Sequence, residues 1–245
     1  MTFSALILAG GLGTRLRSVV ADVPKALARV NDVAFVDYLL AALHRRGCQR
    51  VTLAVGYQRD LVMQHVGAAF RGMPVAYAVE ETPLGTGGAI RRALQGWNEP
   101  DALVLNGDTW LDLDFAAVVS AHRAACAELT VVVREVEDVT RYGAVEVADD
   151  RLVRFAEKGR AGRGLINAGT YVMQRALLSR ASLPDRFSLE TDFLVPRVSQ
   201  LAPLAFRTSG AFIDIGVPED YRRAHALLEP VRRELQLASG RNGAR

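Results

Sequence analysis

The sequence predicts an α/β fold: a mixed, mostly parallel central sheet flanked by helices. Three observations predict it. Short apolar runs alternate with helical stretches through the first half. A glycine-rich turn follows the first apolar run directly. Hydrophobic residues make up 50% of the 245-residue chain, enough for one full core. Runs at 3–9, 51–56, 75–79 and 102–105 suit strands buried on both faces, and stretches at 35–46, 59–70 and 87–96 carry apolar residues at helical spacing. This strand–helix–strand rhythm gives parallel pairing with helices on both faces. The second half changes character. Residues 129–136, 144–148 and 152–156 are strand-like, and Asp149-Asp150 marks a hairpin turn between the last two. Further strands are expected at 167–173 and 203–207, a broken helix over 189–201 and a long helix over 218–237. The reading is one domain over 1–237, its halves meeting near residue 110. Residues 238–245, rich in Gly, Arg and Ala, are expected to be a disordered tail.

Composition narrows the function classes. The net charge of +3 is small for this length, and basic residues do not interleave with aromatics, so nucleic-acid binding is not expected. His44-Arg45-Arg46 falls just before Gly47, where basic side chains complement a helix C-terminus. Cys48 and Cys126 have no Cys-x-x-Cys spacing and read as reduced packing residues, and the four scattered histidines form no metal-ligand pattern. Charges interrupt every long apolar run, and no basic leader precedes the first strand, so a cytoplasmic protein without a membrane partner is expected.

Ligands of parallel sheets bind beyond the carboxyl ends of the strands, and Gly10, Glu80 and Asp108 all fall just there. The turn holding Gly10, Gly11 and Gly13 presents backbone N–H groups that can collect phosphate oxygens, and Arg15 adds a cationic fork for the same charge. The P-loop spacing is absent. Lys25 closes Asp22-Val23-Pro24-Lys25, where Pro24 disfavours helix at Val23. Asp108, after Asn106-Gly107, is well placed to hold Mg²⁺, which takes one or two carboxylates plus substrate phosphates. The alternative for Asp108 is a turn or helix N-cap, a role that Asp112 and Asp114 suit better, since a helix begins at Phe115. An ionised Glu80 or Glu81 can accept two parallel hydrogen bonds from adjacent donors. Guanine offers such a pair, N1–H and the 2-amino group, whereas uracil and thymine place one N–H between two carbonyls. The other reading is that both glutamates are exposed and the base is read by the backbone at Gly85.

Gly-Gly-Leu-Gly-Thr-Arg-Leu followed by Pro-Lys resembles the sugar-nucleotidyltransferase family. The resemblance continues, in the family's order and to about Leu228, through Pro83-Leu84-Gly85-Thr86-Gly87-Gly88-Ala89, Asn106-Gly107-Asp108, Glu157-Lys158-Gly159, Asn167-Ala168-Gly169 and Phe212-Ile213-Asp214-Ile215-Gly216. It implies a Rossmann-like nucleotide-diphospho-sugar transferase fold, with a nucleotide-binding half over 1–110 and a sugar-binding half over 111–237. It also implies transfer of a nucleotidyl group to a sugar 1-phosphate with release of pyrophosphate. The nucleotide positions it implies are Leu8, Gly10, Gly11, Gly13, Thr14, Arg15, Glu80 and Gly85, with Arg15 clamping the triphosphate and Lys25 neutralising charge at the α-phosphate. Glu80 is favoured over Glu81 by family position. Asp214 is implied as the second Mg²⁺ aspartate beside Asp108. Gly143, Glu157, Lys158, Asn167 and Gly169 match sugar and sugar-phosphate positions; turn chemistry and packing are the alternatives for the two glycines and Asn167.

Within the family, the run from Leu84, Phe187-Ser-Leu-Glu-Thr-Asp and Phe212-Ile-Asp-Ile-Gly-Val-Pro-Glu-Asp-Tyr resemble D-glycero-D-manno-heptose 1-phosphate guanylyltransferases, which use GTP. Mannose 1-phosphate guanylyltransferases, hexose 1-phosphate uridylyl- or thymidylyltransferases and a non-catalytic sugar-nucleotide sensor are the other readings. A homodimer is left open.

Overall fold

Phe3–Leu8 forms the first strand, β1, and its alternation explains its place. Ala5 and Ile7 pack into one core cluster while Leu6 packs into another on the opposite face, so β1 is buried on both sides. The computed structural model describes residues 2–11, 13, 16, 20, 23–155 and 161–240. After a 3₁₀ turn at Lys25–Leu27 come β2 (Arg29–Val30), β3 (Val33–Ala34), α1 (Phe35–Arg45), β4 (Cys48–Val55), α2 (Arg59–Val66), β5 (Ala69–Phe70), β6 (Met73–Val79), α3 (Gly85–Leu94), β7 (Asp101–Asn106) and β8 (Thr109–Leu111). The second half holds α4 (Phe115–Ala124), β9 (Leu129–Val136), β10 (Ala144–Ala148), β11 (Arg151–Phe155), β12 (Gly164–Gln174), a π-helical turn at Leu189–Leu194, α5 (Val195–Leu201), β13 (Leu204–Thr208), β14 (Phe212–Asp214) and α6 (Pro218–Gly240).

Among the described residues the main sheet runs β10-β11-β13-β9-β12-β7-β1-β4-β6-β5. The expected parallel pairing holds around the first strand, where β7, β1, β4 and β6 run side by side in parallel. The second half departs from it. β12 is antiparallel to both β7 and β9, and β10 to β11, with β13 parallel to β9. The two-residue connection between β10 and β11 permits only antiparallel pairing. Asp149 and Asp150 take positive φ there (46° and 57°), as a tight hairpin turn requires.

One face of the sheet is covered by α1, α2, α4 and α6, through residues such as Leu39, Val62, Val118 and Leu228. The other is covered by α3, the π turn and α5, through Ile90, Phe193 and Val198. Asp114 caps α4 by accepting from Ala117 N at 3.1 Å, which releases Asp108 from that role. The basic end of α1 is tied down by ion pairs, Arg45 to Glu234 and Arg46 to Asp112.

The structure departs from the sequence reading at four points. The helix expected over 59–70 stops at Val66, because Gly67 takes φ 70° and Ala69–Phe70 turns back to pair with Met73 and Pro74. Asn31 and Asp32, both at positive φ, turn an unforeseen hairpin between β2 and β3. Cys48 is buried as expected, its thiol pushed up to about 12 by desolvation, but Cys126 is exposed at positive φ rather than packed. The last helix reaches Gly240, past the boundary expected at 237. No helix among the described residues is long and apolar enough to cross a membrane.

β1 lies between β4 and β7, so chain connections leave it in opposite directions and a crevice opens beyond its carboxyl end. Gly107 sets the width of that crevice. Its N–H donates to the Leu8 carbonyl at 3.0 Å, and a Cβ in its place would sit 2.3 Å from that same oxygen. Gly107→Ala should therefore cost about 1–3 kcal/mol of stability in denaturant unfolding, the range for forced overpacking. Gly143→Ala, at a position where an added Cβ meets nothing within 4 Å, should leave the midpoint unchanged. Equal midpoints for both variants would show that the close approach at Gly107 does not hold these strand ends together.

Candidate active site

The crevice is a cleft of about 280 Å³ whose walls come from the ends of three strands and two turns. Leu8 ends β1 with Ala9, Gly10 and Gly11 after it, Glu80 follows β6, and Asn106 ends β7 with Gly107 and Asp108 after it. Lys25 and Ala26 enter from the 3₁₀ turn, and Pro83, Gly85, Thr86 and Ala89 from the start of α3.

Lys25 stands at the head of its turn because Pro24, in an extended conformation (φ −55°, ψ 142°), delivers the chain there. Its side chain is 12% exposed, and its Nζ donates to Asp108 Oδ2 and lies 3.9 Å from Asp214 Oδ1. The two aspartates meet because β14 pairs with β8, setting Asp214 opposite Thr109, and Ile215 N–H donates to the Asp108 carbonyl at 2.9 Å. Asp108 Oδ1 accepts from Thr109 Oγ1 at 3.2 Å, and Asp214 Oδ1 from Gly216 N at 2.6 Å. Gly13, at φ 58°, packs against the Lys25 stem: a Cβ there would lie 3.1 Å from Lys25 Cβ.

Glu80 and Glu81 face opposite ways, as neighbours at a strand end should. Glu81 is exposed and paired with Arg59 at 2.9 Å. Glu80 lies in the cleft beside Gly10, and its Oε2 accepts from Leu84 N at 3.0 Å. Burial pushes the Glu80 carboxyl above its ordinary value of 4.5, against the opposing pull of the Leu84 N–H and of Arg92. At the start of α3 the N–H groups of Gly87 and Gly88 both donate to the Phe187 carbonyl, so this end of the glycine run anchors the chain around 187.

On the neighbouring wall Gly169, at φ 68°, lets β12 press against Asn106; a Cβ there would lie 2.6 Å from Asn106 Nδ2. Asn167 accepts from Gly169 N through Oδ1 (3.1 Å) and donates through Nδ2 to the Tyr171 hydroxyl (2.7 Å) and Glu190 Oε1 (2.9 Å). Its backbone N–H donates to the Gly143 carbonyl at 3.3 Å. Thr14, Arg15, Glu157 and Lys158 lie outside the described residues.

A family model for nucleotidyl transferases matches residues 4–230. The D-glycero-alpha-D-manno-heptose 1-phosphate guanylyltransferase of Aneurinibacillus thermoaerophilus is 37% identical over 225 residues, spanning 92% of this chain and 98% of that protein. The enzyme of the same name from Campylobacter jejuni is 38% identical over 218 residues, 89% of this chain and 96% of that one. Among solved structures, HddC from Yersinia pseudotuberculosis complexed with GMP-PN matches with a TM-score of 0.83 at 37% identity, covering 93% of this chain and 100% of that chain. The chain belongs to the nucleotidyl transferase family.

For a nucleotidyl transferase the arrangement has a direct chemical sense: carboxylates and a lysine converge beyond β7, and an acceptor carboxylate stands beyond β6, three strands away. Two features were not foreseen. Glu190, within the Phe187–Asp192 motif, accepts from both Asn167 Nδ2 and the Tyr171 hydroxyl. Tyr171 shows no local signal, since a tyrosine in an apolar strand reads as core. Its hydroxyl is fully buried, and desolvation, followed by the nearby Glu190, raises it well above its ordinary value.

A raised Glu80 carries a pH signature. Its protonated form suits the folded cleft better than its anion does, so the penalty is absent below the unfolded value and grows as pH rises through the folded one. Glu80→Gln removes the ionisation while keeping an acceptor for Leu84. The variant should therefore gain stability over wild type at pH ~8 relative to pH ~4, read by denaturant unfolding at both. A pH-independent difference would contradict a buried, ionising Glu80.

Proposed function

We propose that this protein transfers GMP from GTP to D-glycero-D-manno-heptose 1-phosphate, giving GDP-heptose and pyrophosphate. The observation that carries the guanine reading is Glu80, a desolvated carboxylate held in the cleft while Glu81 turns away. Each carboxylate oxygen accepts more than one hydrogen bond, so Glu80 can keep Leu84 N–H and still take guanine's N1–H and 2-amino group. The names of the relatives, and the GMP-PN in the solved HddC structure, support the same base and sugar.

A sugar 1-phosphate, with a second pKa near ~6, is already dianionic at neutral pH and needs no general base. Its oxygen attacks the α-phosphorus, the bond to the β-phosphate oxygen breaks, and pyrophosphate leaves. The chain's task is to bring two anions together and cancel their charge. Asp108 and Asp214 fit a divalent cation such as Mg²⁺. A cationic Nζ already stands against both, and two carboxylates leave the remaining positions to substrate phosphates. When bound, that cation supplies charge neutralisation on the triphosphate. Lys25 is suited to the α-phosphate, and Arg15 to the triphosphate. Of the chain's 30 basic residues only Lys25 and Lys158 are lysines. Arginine serves wherever a surface fork suffices, and a compact ammonium is kept at the two motif positions. Gly143, Glu157, Lys158, Asn167 and Gly169 are assigned to the sugar 1-phosphate. Substrates of this charge do not cross membranes, which suits a cytoplasmic enzyme.

Two experiments test the reading. With heptose and mannose 1-phosphates as acceptors, wild type should prefer GTP over UTP and dTTP, and heptose over mannose. Glu80→Gln should lose about tenfold or more in kcat/KM for GTP, the cost of a buried polar mismatch, and less for UTP and dTTP. A wild-type preference for UTP or dTTP contradicts the guanine assignment. Separately, Lys25→Met removes the ammonium that stands against the two aspartates. Without nucleotide it should bind Mn²⁺ about tenfold tighter than wild type by electron paramagnetic resonance, while turnover falls. Unchanged Mn²⁺ affinity would show that Lys25 does not hold the metal position.

A further inference from the structure

The Val217-Pro218-Glu219-Asp220-Tyr221 end of the last motif places an acid where nothing reacts. Asp220 lies in the first turn of α6, six residues beyond Asp214, and is 1% exposed. Its carboxylate accepts from Arg141 through both guanidinium nitrogens, at 2.6 and 3.4 Å, from Arg223 at 2.9 Å and, more weakly, from the Tyr142 hydroxyl at 3.5 Å. Arg223 sits one turn along the same helix, with its side chain 62% exposed. Arg141 and Tyr142 come from elsewhere, the turn over residues 138–143 that leads into Gly143 and β10. Tyr142 stacks edge-on against Phe212 at 5.8 Å, and Phe212 opens β14, the strand that ends in Asp214. Val139, Ala144 and Ile166 form a small core under this turn, with Tyr142 and Phe212 packed on it.

One buried carboxylate thus joins two parts of the site that are more than seventy residues apart in sequence. We propose that Asp220 is a positioning residue: through Arg141 and Tyr142 it fixes the turn at 138–143, and hence Gly143, relative to the strand that presents Asp214. This rests on the reading of Gly143 as a sugar 1-phosphate position. A helix-capping acid alone would need only local partners such as Arg223. A carboxylate that also takes a fork from a distant turn sets a distance, and distance between the sugar phosphate and the metal aspartates governs attack at the α-phosphorus.

The experiment separates the two arginines. Arg141→Met should raise KM for heptose 1-phosphate about tenfold with KM for GTP little changed, a loss of the size that small misplacements cause. Arg141→Lys, which restores a cation without the fork, should recover part of it. Arg223→Met should leave both KM values and kcat at wild-type levels. Asp220→Asn should raise the sugar KM and also lower kcat; if that variant does not fold, the arginine pair carries the test. Identical behaviour of Arg141→Met and Arg223→Met, or a GTP KM that moves as far as the sugar KM, overturns the proposal and leaves Asp220 a helix-capping acid. Gly143→Val distinguishes the causes of failure. If it raises the sugar KM while Arg141→Met does not, the positioning role alone is wrong. If neither variant moves the sugar KM, the assignment of this turn to the sugar phosphate fails with it.

Discussion

Two aspartates held side by side repel, and the cation that stands against both sets the geometry of everything around them. Lys25 fills that position, bonded to Asp108 and 3.9 Å from Asp214. Through it three distant pieces of chain converge: the turn after Pro24, the end of β7 and the end of β14. Removing the cation from such a pair leaves less compensated, partly buried charge, a larger penalty than the bond itself is worth. A cation therefore steadies the pair, and on the reading proposed above a divalent cation takes the place of the ammonium when anionic substrate arrives.

The sheet makes this convergence available. β1 is flanked by β4 on one side and β7 on the other, and the Gly107 N–H to the Leu8 carbonyl closes the ends of β1 and β7 to backbone contact. The cleft then has Asp108, with Asp214 beside its Lys25, on one side and a separate acceptor at Glu80, which β6 carries two strands away from β1. On the proposed reading a nucleotide bridges them, its base at Glu80 and its phosphates at Asp108. The cost is visible in Glu80, whose burial disfavours its ionised form. Binding sites commonly hold such groups, and the ligand's donors offset the penalty.

Much of this was legible in the sequence, for identifiable reasons. β1, β9 and β10 have the bounds or nearly the bounds that their apolar runs indicate, and Asp149-Asp150 turns the hairpin because both residues tolerate positive φ. Asp108 and Glu80 stand out in the sequence because a chemical residue just past a buried strand has few structural duties, and both line the cleft. What escaped the sequence depends on pairing. Ala69–Phe70 and Arg29–Val30 are two-residue strands, too short to show a period, and they exist only through their partners. The antiparallel turn of the second half comes from β12 inserting between β7 and β9, a choice made by the sheet and not by any local pattern. The bonds of Glu190 to Asn167 and of Asp220 to Arg141 join residues 23 and 79 positions apart, and no window of sequence holds both partners.

The most direct measurement is anomalous diffraction from crystals grown with GTP and Mn²⁺. The account expects a manganese peak bounded by the Asp108 and Asp214 carboxylates, Lys25 withdrawn from Asp108 toward the α-phosphate, and the guanine edge on the Glu80 carboxylate. Manganese held by phosphates alone, with Lys25 still paired to Asp108, would contradict it.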